Sequence, residues 1–249
     1  MTRSQGGRWC PLAVLVSLLL WVGAAWAEVC KGSKVPKTEL RRYDAKATLS
    51  QNQIAAALAT HLPYGQPGCP RLLPSREYIL YYIAGHRTAL WAAYTLRAEE
   101  VVNRARRDAF RYDPRLTADE NAHCADYKGT GYARGHTVPD ADMGRSKMAQ
   151  ANTYFLSNMS PQTNNLNSGP WLWLERAVRD YAKRYGQVYV MSGSIFSEPV
   201  PTVPSGRMGI PARYYKVLVC TDPQRFARRP RAHPFQPGDT VQVACADQW

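Results

Sequence analysis

Apolar and polar positions along this chain fall into blocks of different period. Residues 77–84, Glu-Tyr-Ile-Leu-Tyr-Tyr-Ile-Ala, are aromatic and β-branched; Gly85-His86 interrupts them, and a second such run covers 87–96. Two runs of this kind around a glycine predict a hairpin entering a sheet. Residues 187–192, with Val188-Tyr189-Val190-Met191, and residues 214–220 predict further strands, with Gly and Pro clusters between them. Elsewhere the period lengthens. After Asn167-Ser168-Gly169-Pro170, the apolar Trp171, Leu174, Val178 and Tyr181 recur at helical spacing, with Pro170 suited to the first turn and Gly186 as a stop. Arg176, Arg179 and Lys183 lie largely off that face. A second helix is expected over 50–62 with Ser50 as its N-cap. Strands flanking an amphipathic helix, without repeats or low-complexity tracts, indicate the α+β class: an antiparallel β-sheet core with flanking helices.

The first 27 residues are of another kind. Arg3 and Arg8 precede an apolar run over 12–22 that ends in Ala25-Trp26-Ala27, a small-residue cleavage pattern. A secretory signal peptide is therefore expected over 1–27, a Pro- and Gly-punctuated lead segment over 28–74, and one main domain over 75–249. An uncleaved anchor or a mitochondrial targeting helix fits less well. The apolar stretch is short for a span, and its Leu/Val clustering lacks amphipathic Arg spacing. No later stretch is long and apolar enough to cross a bilayer, so the expected product is soluble, periplasmic or secreted, with no membrane association once the leader is removed. The Pro- and Arg-rich stretch 221–238 reads as loop.

Charge changes the picture next. The formal net charge is +13, and only Arg3 and Arg8 of it lie in the leader, so the remainder stays strongly basic. Polyanions are the natural partners of such a surface, although the same charge also serves solubility or attraction to anionic lipid. Of six cysteines, Cys10 lies in the leader; Cys30, Cys69, Cys124, Cys220 and Cys245 remain. Two disulfides and one free thiol suit an oxidising compartment, and proximity in sequence suggests Cys30 with Cys69 and Cys220 with Cys245, leaving Cys124. No C-x-x-C spacing points to structural zinc.

Candidate chemistry concentrates between Tyr127 and Glu175. His136 follows Gly135 at the end of an expected strand, where a neutral imidazole can take a proton from water; a lone histidine is more often structural. Asn167 and Glu175 stand eight residues apart, so a helix beginning near Asn167 would turn both side chains to one side. An amide oxygen is a hard ligand suited to Mg²⁺, with a nearby carboxylate to hold water; a helix cap and a solvated glutamate are the plainer alternative. Trp171 and Trp173 read as packing residues before base-stacking platforms. Arg145, Lys147, Arg225, Arg228, Arg229 and Arg231 read equally as a polyanion groove or as solvated loop charge.

Taken together, Arg134-Gly135-His136, the block Leu156-Ser157-Asn158 with Pro161-Gln162, and Asn167 followed by Trp171 and Leu174-Glu175 closely resemble the DNA/RNA non-specific endonuclease family. These are the ββα-metal (His-Me finger) nucleases that include endonuclease G. The resemblance extends more weakly to Arg106 or Arg107 before Phe110 and Asp113-Pro114, to Ser192-Gly193 and to the 211–219 strand, covering about 77–219. It implies a strand-strand-helix motif in which His136 is the general base and Asn167 binds one catalytic Mg²⁺, with Mn²⁺ as the alternative. Arg106, or Arg107 with a shift of one, would steady charge on the phosphate. Glu175 would position water on the ion, Asn158 would support the site from beside it, and Arg134 would contact substrate. The expected activity is cleavage of DNA and RNA to 5′-phosphate products without regard to sequence, since phosphate contacts carry no sequence information. Homodimers are common in the family.

One position departs from that pattern. The family usually has an acidic residue before Arg-Gly-His, and here it is Ala133, which neither hydrogen-bonds nor carries charge. Retention of His136, Asn167 and Glu175 favours an active enzyme with altered metal or pH preference. A catalytically degenerate nucleic-acid or polyanion binder of the same fold is the alternative, and a disulfide-held interaction module a more distant one.

Overall fold

The computed structural model describes residues 28–65 and 71–220. The expected leader, Cys69, Cys245, His233 and the basic stretch 221–238 lie outside the described residues.

The lead segment packs on the main body by its own hydrogen bonds. The Cys30 amide donates to the Phe110 carbonyl at 2.9 Å, and Tyr112 N–H donates to the Glu28 carbonyl at 3.0 Å. Helix α1 (Lys37–Asp44) then buries Leu40 and ties its acids to the body: Glu39 accepts from Arg107 Nη2 at 2.8 Å, and Asp44 from the fully buried Arg111 Nε at 2.8 Å. Helix α2 (Gln51–His61) begins as its sequence dictates. Ser50 Oγ accepts from the Gln53 amide while Gln53 Oε1 accepts from the Ser50 amide, a capping box that satisfies two end donors.

Strands β1 (Leu72–Pro74), β2 (Ile79–Ile83) and β3 (Thr88–Arg97) follow, so the edge of the sheet lies within the last residues of the lead segment. Next come β4 (Tyr132–His136), α3 (Lys147–Asn152), β5 (Met159–Thr163), α4 (Asn164–Ser168), α5 (Pro170–Tyr185), β6 (Gln187–Ile195) and β7 (Arg213–Cys220). The large sheet has the order β1-β2-β3-β6-β7 and is antiparallel throughout; β4 and β5 pair antiparallel as a separate two-stranded ladder. The fold is α+β.

Both faces of the large sheet are covered. Val178, Ala182 and Tyr185 of α5 pack on Tyr94, Leu96, Val188, Val190 and Leu218, while Ala57 and Leu62 at α2 meet Ile79, Trp91, Ala93 and Tyr189 on the other face. Burying each large apolar side chain contributes roughly 1.5–3 kcal/mol, so these layers hold the sheet against which the small ladder is set. Three side chains tie the ladder down. Ser192 Oγ donates to the Thr137 carbonyl at 2.6 Å, Thr88 Oγ1 to the Met159 carbonyl at 3.1 Å, and Tyr214 OH to the Pro161 carbonyl at 2.7 Å.

Two expectations are corrected. Cys30 pairs with Cys124, not with Cys69, joining the lead segment to the turn before β4 across 94 residues of sequence. Proximity in sequence misled because the chain from Cys30 runs alongside residues 107–111, which bring it to Cys124. The helix over 167–175 is also not continuous. Asn167 belongs to α4, Glu175 to α5, and Gly169, at φ −108° and ψ −112°, breaks the axis between them. Among the described residues, no helix is long and apolar enough to cross a membrane.

Candidate active site

The last residue of β4 is His136, and everything around it fixes that residue's backbone. Gly135 is required there: a Cβ on it would lie 2.3 Å from the side chain of Gln162, which is buried across the ladder. The chain beyond is clamped by Asn158, whose Oδ1 accepts from Val138 N–H at 3.0 Å and whose Nδ2 donates to the carbonyls of Val138 at 2.9 Å and Thr153 at 2.8 Å. Asn158 is fully buried and its amide is spent on backbone, so it acts by shaping the His136 segment. On the helix side, Trp171 Nε1 donates to the His136 carbonyl at 3.1 Å, joining α5 to the end of β4. Strand, strand and helix thus form one unit around the imidazole.

The imidazole itself is 6 % exposed, set edge-on to the Tyr154 ring at 4.9 Å and tilted against Phe110 at 6.0 Å. Among the described residues nothing hydrogen-bonds its buried Nε2. Burial pushes its pKa down to about 4, opposed by Asp140 and reinforced by Arg106. A buried ring nitrogen without a protein partner, kept as the free base at neutral pH, is arranged to bind something other than the protein.

His61 shows the contrasting case. It is equally buried, but Nδ1 accepts from Thr95 N–H at 3.1 Å and Nε2 faces the Arg76 carbonyl at 3.0 Å, so both nitrogens are spent on structure. His123 pairs with the Tyr112 hydroxyl, and His86 packs against Phe196.

The two candidate arginines part company. Arg107 is turned into the protein toward Glu39 of α1, whereas Arg106 is half exposed, lies 5.7 Å from the Tyr154 ring centre and is steered by Asp108 at 2.5 Å. Arg106 therefore shares the Tyr154–His136 side, and Arg107 braces the lead segment. Arg134 extends on the same strand face as His136, over Phe110 at 4.9 Å, and donates to the Cys124 carbonyl at 3.2 Å. Burial lowers its pKa, yet its remaining donors are not all spent within the protein.

Asn167 is half buried in α4, and among the described residues no hydrogen bond holds its amide. Glu175, one turn and more into α5, belongs to a charged group that the sequence did not reveal. Lys216 of β7 is completely buried, its ammonium 4.4 Å from the Trp171 ring centre and without a hydrogen bond among the described residues. Burial pushes the Glu175 carboxyl up and the Lys216 ammonium down, while their mutual attraction opposes both. Asp142 completes the group, accepting from Tyr94 OH at 2.6 Å and Arg179 Nη1 at 2.8 Å. Lys216 had one signal: it occupies the inward parity of β7, with Leu218 and Cys220. Asp140 had none, and Phe110 and Tyr154, which lie in the stretches that carry the resemblance, gave no sign there that their rings meet His136.

No cluster of three or more His, Cys, Asp or Glu is placed to hold a metal among the described residues. The Asn167 amide oxygen, uncommitted on α4 where that helix packs on β4, is the hard donor present, and a single protein donor of this kind suits a hard cation that keeps most of its waters. Arg145 is occupied by Glu100 at 3.6 Å, while Trp173, unlike Trp171, is 60 % exposed.

A family model described as DNA/RNA non-specific endonuclease matches residues 57–240. The chain belongs to the DNA/RNA non-specific endonuclease family. Human mitochondrial endonuclease G is 33% identical over 168 residues, which cover 63% of this chain and 57% of that protein. A nuclease of Nostoc is 29% identical over 180 residues, covering 68% and 65%. The chain spans a little over half the length of the human and bovine endonuclease G it matches. Among solved structures, EndoG in its complex with EndoGI superposes with a TM-score of 0.62 at 25% identity, over 71% of this chain and 77% of that one. The endonuclease-family region thus begins within α2, inside the lead segment.

Proposed function

We propose that this chain is an exported, Mg²⁺-dependent endonuclease that hydrolyses phosphodiester bonds of DNA and RNA without sequence or sugar specificity, leaving 5′-phosphates. The observation that carries the reading is the buried, unpartnered Nε2 of His136 at the end of β4, beside a helix whose Asn167 amide is uncommitted. Family membership and the names of the relatives support it.

In this reading His136 Nε2 accepts a proton from the attacking water, and the hydroxide so formed adds to phosphorus opposite the 3′-oxygen, which leaves. Arg106, half exposed on the same side, pairs with the phosphate as negative charge grows on it. Asn167 would hold the divalent cation, Mg²⁺ or Mn²⁺, whose charge offsets that of the phosphate and the leaving oxygen. Glu175 orients water near that position, and Asn158 keeps His136 in register. The basic surface draws the polyanion in, and phosphate contact alone reads no sequence. The Cys30–Cys124 disulfide supports export to an oxidising compartment.

Full-chain protein made in an oxidising compartment should nick supercoiled plasmid and degrade RNA with Mg²⁺ or Mn²⁺, and EDTA should stop both. Ala133 favours a second reading, a binder that has lost catalysis. Salt-sensitive binding with intact substrate across metals and pH would establish it in place of the first.

A further inference from the structure

The acid that family members usually carry before Arg-Gly-His is absent here, and alternation along β4 shows what residue 133 could have reached. Ala133 pairs with Gln162 and shares the side of Gly135, whereas Arg134 and His136 project to the opposite side. The negative charge on the His136 side comes from elsewhere.

Asp140 opens the short 3-10 turn Asp140–Met143, four residues beyond His136. The intervening backbone has little freedom: Thr137 N–H donates to the Asn158 carbonyl at 2.9 Å, Ser192 Oγ holds the Thr137 carbonyl, and Asn158 holds both polar groups of Val138. Asp140 Oδ2 accepts from Tyr154 OH at 2.7 Å, and it is the Tyr154 ring that stands edge-on to the imidazole at 4.9 Å and 88°. Phe110 wedges against both rings, 5.0 Å from Tyr154 and 6.0 Å from His136.

We propose that Asp140 and Tyr154 form a hydrogen-bonded pair that positions His136 and supplies the negative charge its imidazole requires on taking up a proton. The proposal rests on the reading of His136 as the general base. Imidazolium in a buried site with no partner at Nε2 is strongly disfavoured, and a carboxylate at short range offsets that penalty. Three charged groups act on the ring: Asp140 most strongly, then Arg106, which opposes it, then Asp108. Asp108 is already neutralised by Lys34 at 2.6 Å and by Arg106, which leaves Asp140 as the carboxylate turned to this task. Burial and the neighbouring carboxylate push the Tyr154 hydroxyl far up, so it stays a donor to Asp140. Asp140 and Tyr154 act through His136, as positioning residues.

The test is an NMR titration of the His136 ring in full-chain protein, run beside the pH profile of kcat/KM, for wild type, Asp140→Asn, Tyr154→Phe and the double variant. With melting temperatures preserved, Asp140→Asn should move the His136 titration and the acid limb of the profile down together, by about half to one pH unit. Tyr154→Phe should move them less, and the double variant no further than Asp140→Asn. An unmoved His136 titration in folded Asp140→Asn overturns the proposal. If the titration moves but no variant, wild type included, cuts nucleic acid, the pairing stands as described and the nuclease reading falls instead.

Discussion

The indole Nε1 of Trp171 donates to the backbone carbonyl of His136 across 3.1 Å. That bond is where helix and strand of the small unit meet, and it makes the orientation of His136 depend on α5, which is itself anchored to the large sheet. Trp171 also supplies the ring face on which the buried Lys216 ammonium rests.

Trp171→Phe keeps an aromatic ring against Lys216 but leaves the His136 carbonyl without its donor. Loss of a buried hydrogen bond of this kind costs about 1–3 kcal/mol. Thermal unfolding should show that loss, and steady-state cleavage should show a several-fold fall in kcat with KM little changed. A variant as stable and as fast as wild type would mean the bond does not set the base.

Gly135→Ala places a methyl 2.3 Å from the buried Gln162 side chain. Overpacking at such a site costs about 1–3 kcal/mol. Adding Gln162→Ala opens the space, so the pair should be less destabilised than the sum of its single changes. Denaturant unfolding of all four proteins closes the cycle, and strict additivity would show that the two positions do not meet.

Stability should also follow pH in a defined direction. His61 and His136 are both held near 4 in the folded protein, below the ordinary 6.5, by burial. The unfolded chain therefore binds protons first as pH falls, so stability drops between about 6.5 and 4 and is unaffected by these groups above that window. Each contributes up to about 3 kcal/mol to the drop. In metal-free protein, the melting temperature should fall with acid over this range, and His136→Gln should remove about half of the dependence. A variant with the wild-type slope would show that His136 is not the buried neutral ring described.

The sheet, α2 and α5 were legible because each depends on local pattern: the aromatic runs at 77–84 and 87–96, the Ser50 cap, and the Trp171-Leu174-Val178 stripe between Pro170 and Gly186. The break at Gly169 was not, because Asn167 and Trp171 each fit a helix and only the backbone at one residue divides them. The same limit governs the site. His136, Asn167 and Glu175 were singled out by the combined resemblance, since residue type and spacing alone left plainer structural roles open, while Tyr154 and Lys216 are brought in by tertiary approach and Cys30 meets Cys124 only because the lead segment folds back along residues 107–111. Asn158 entered by resemblance alone, since nothing in its local sequence shows that its amide makes three hydrogen bonds to backbone.

The proposed nuclease depends on His136 acting as the base of a cation-dependent phosphodiester cleavage. Single-turnover cleavage of one short DNA strand and the matching RNA, with Mg²⁺ at neutral pH, tests it most directly when wild type is compared with His136→Ala and fold is checked by circular dichroism. Wild type should cut both substrates, leaving 5′-phosphate ends, and the rate should fall by at least about a hundredfold in the folded variant. Equal rates in the two proteins would contradict it.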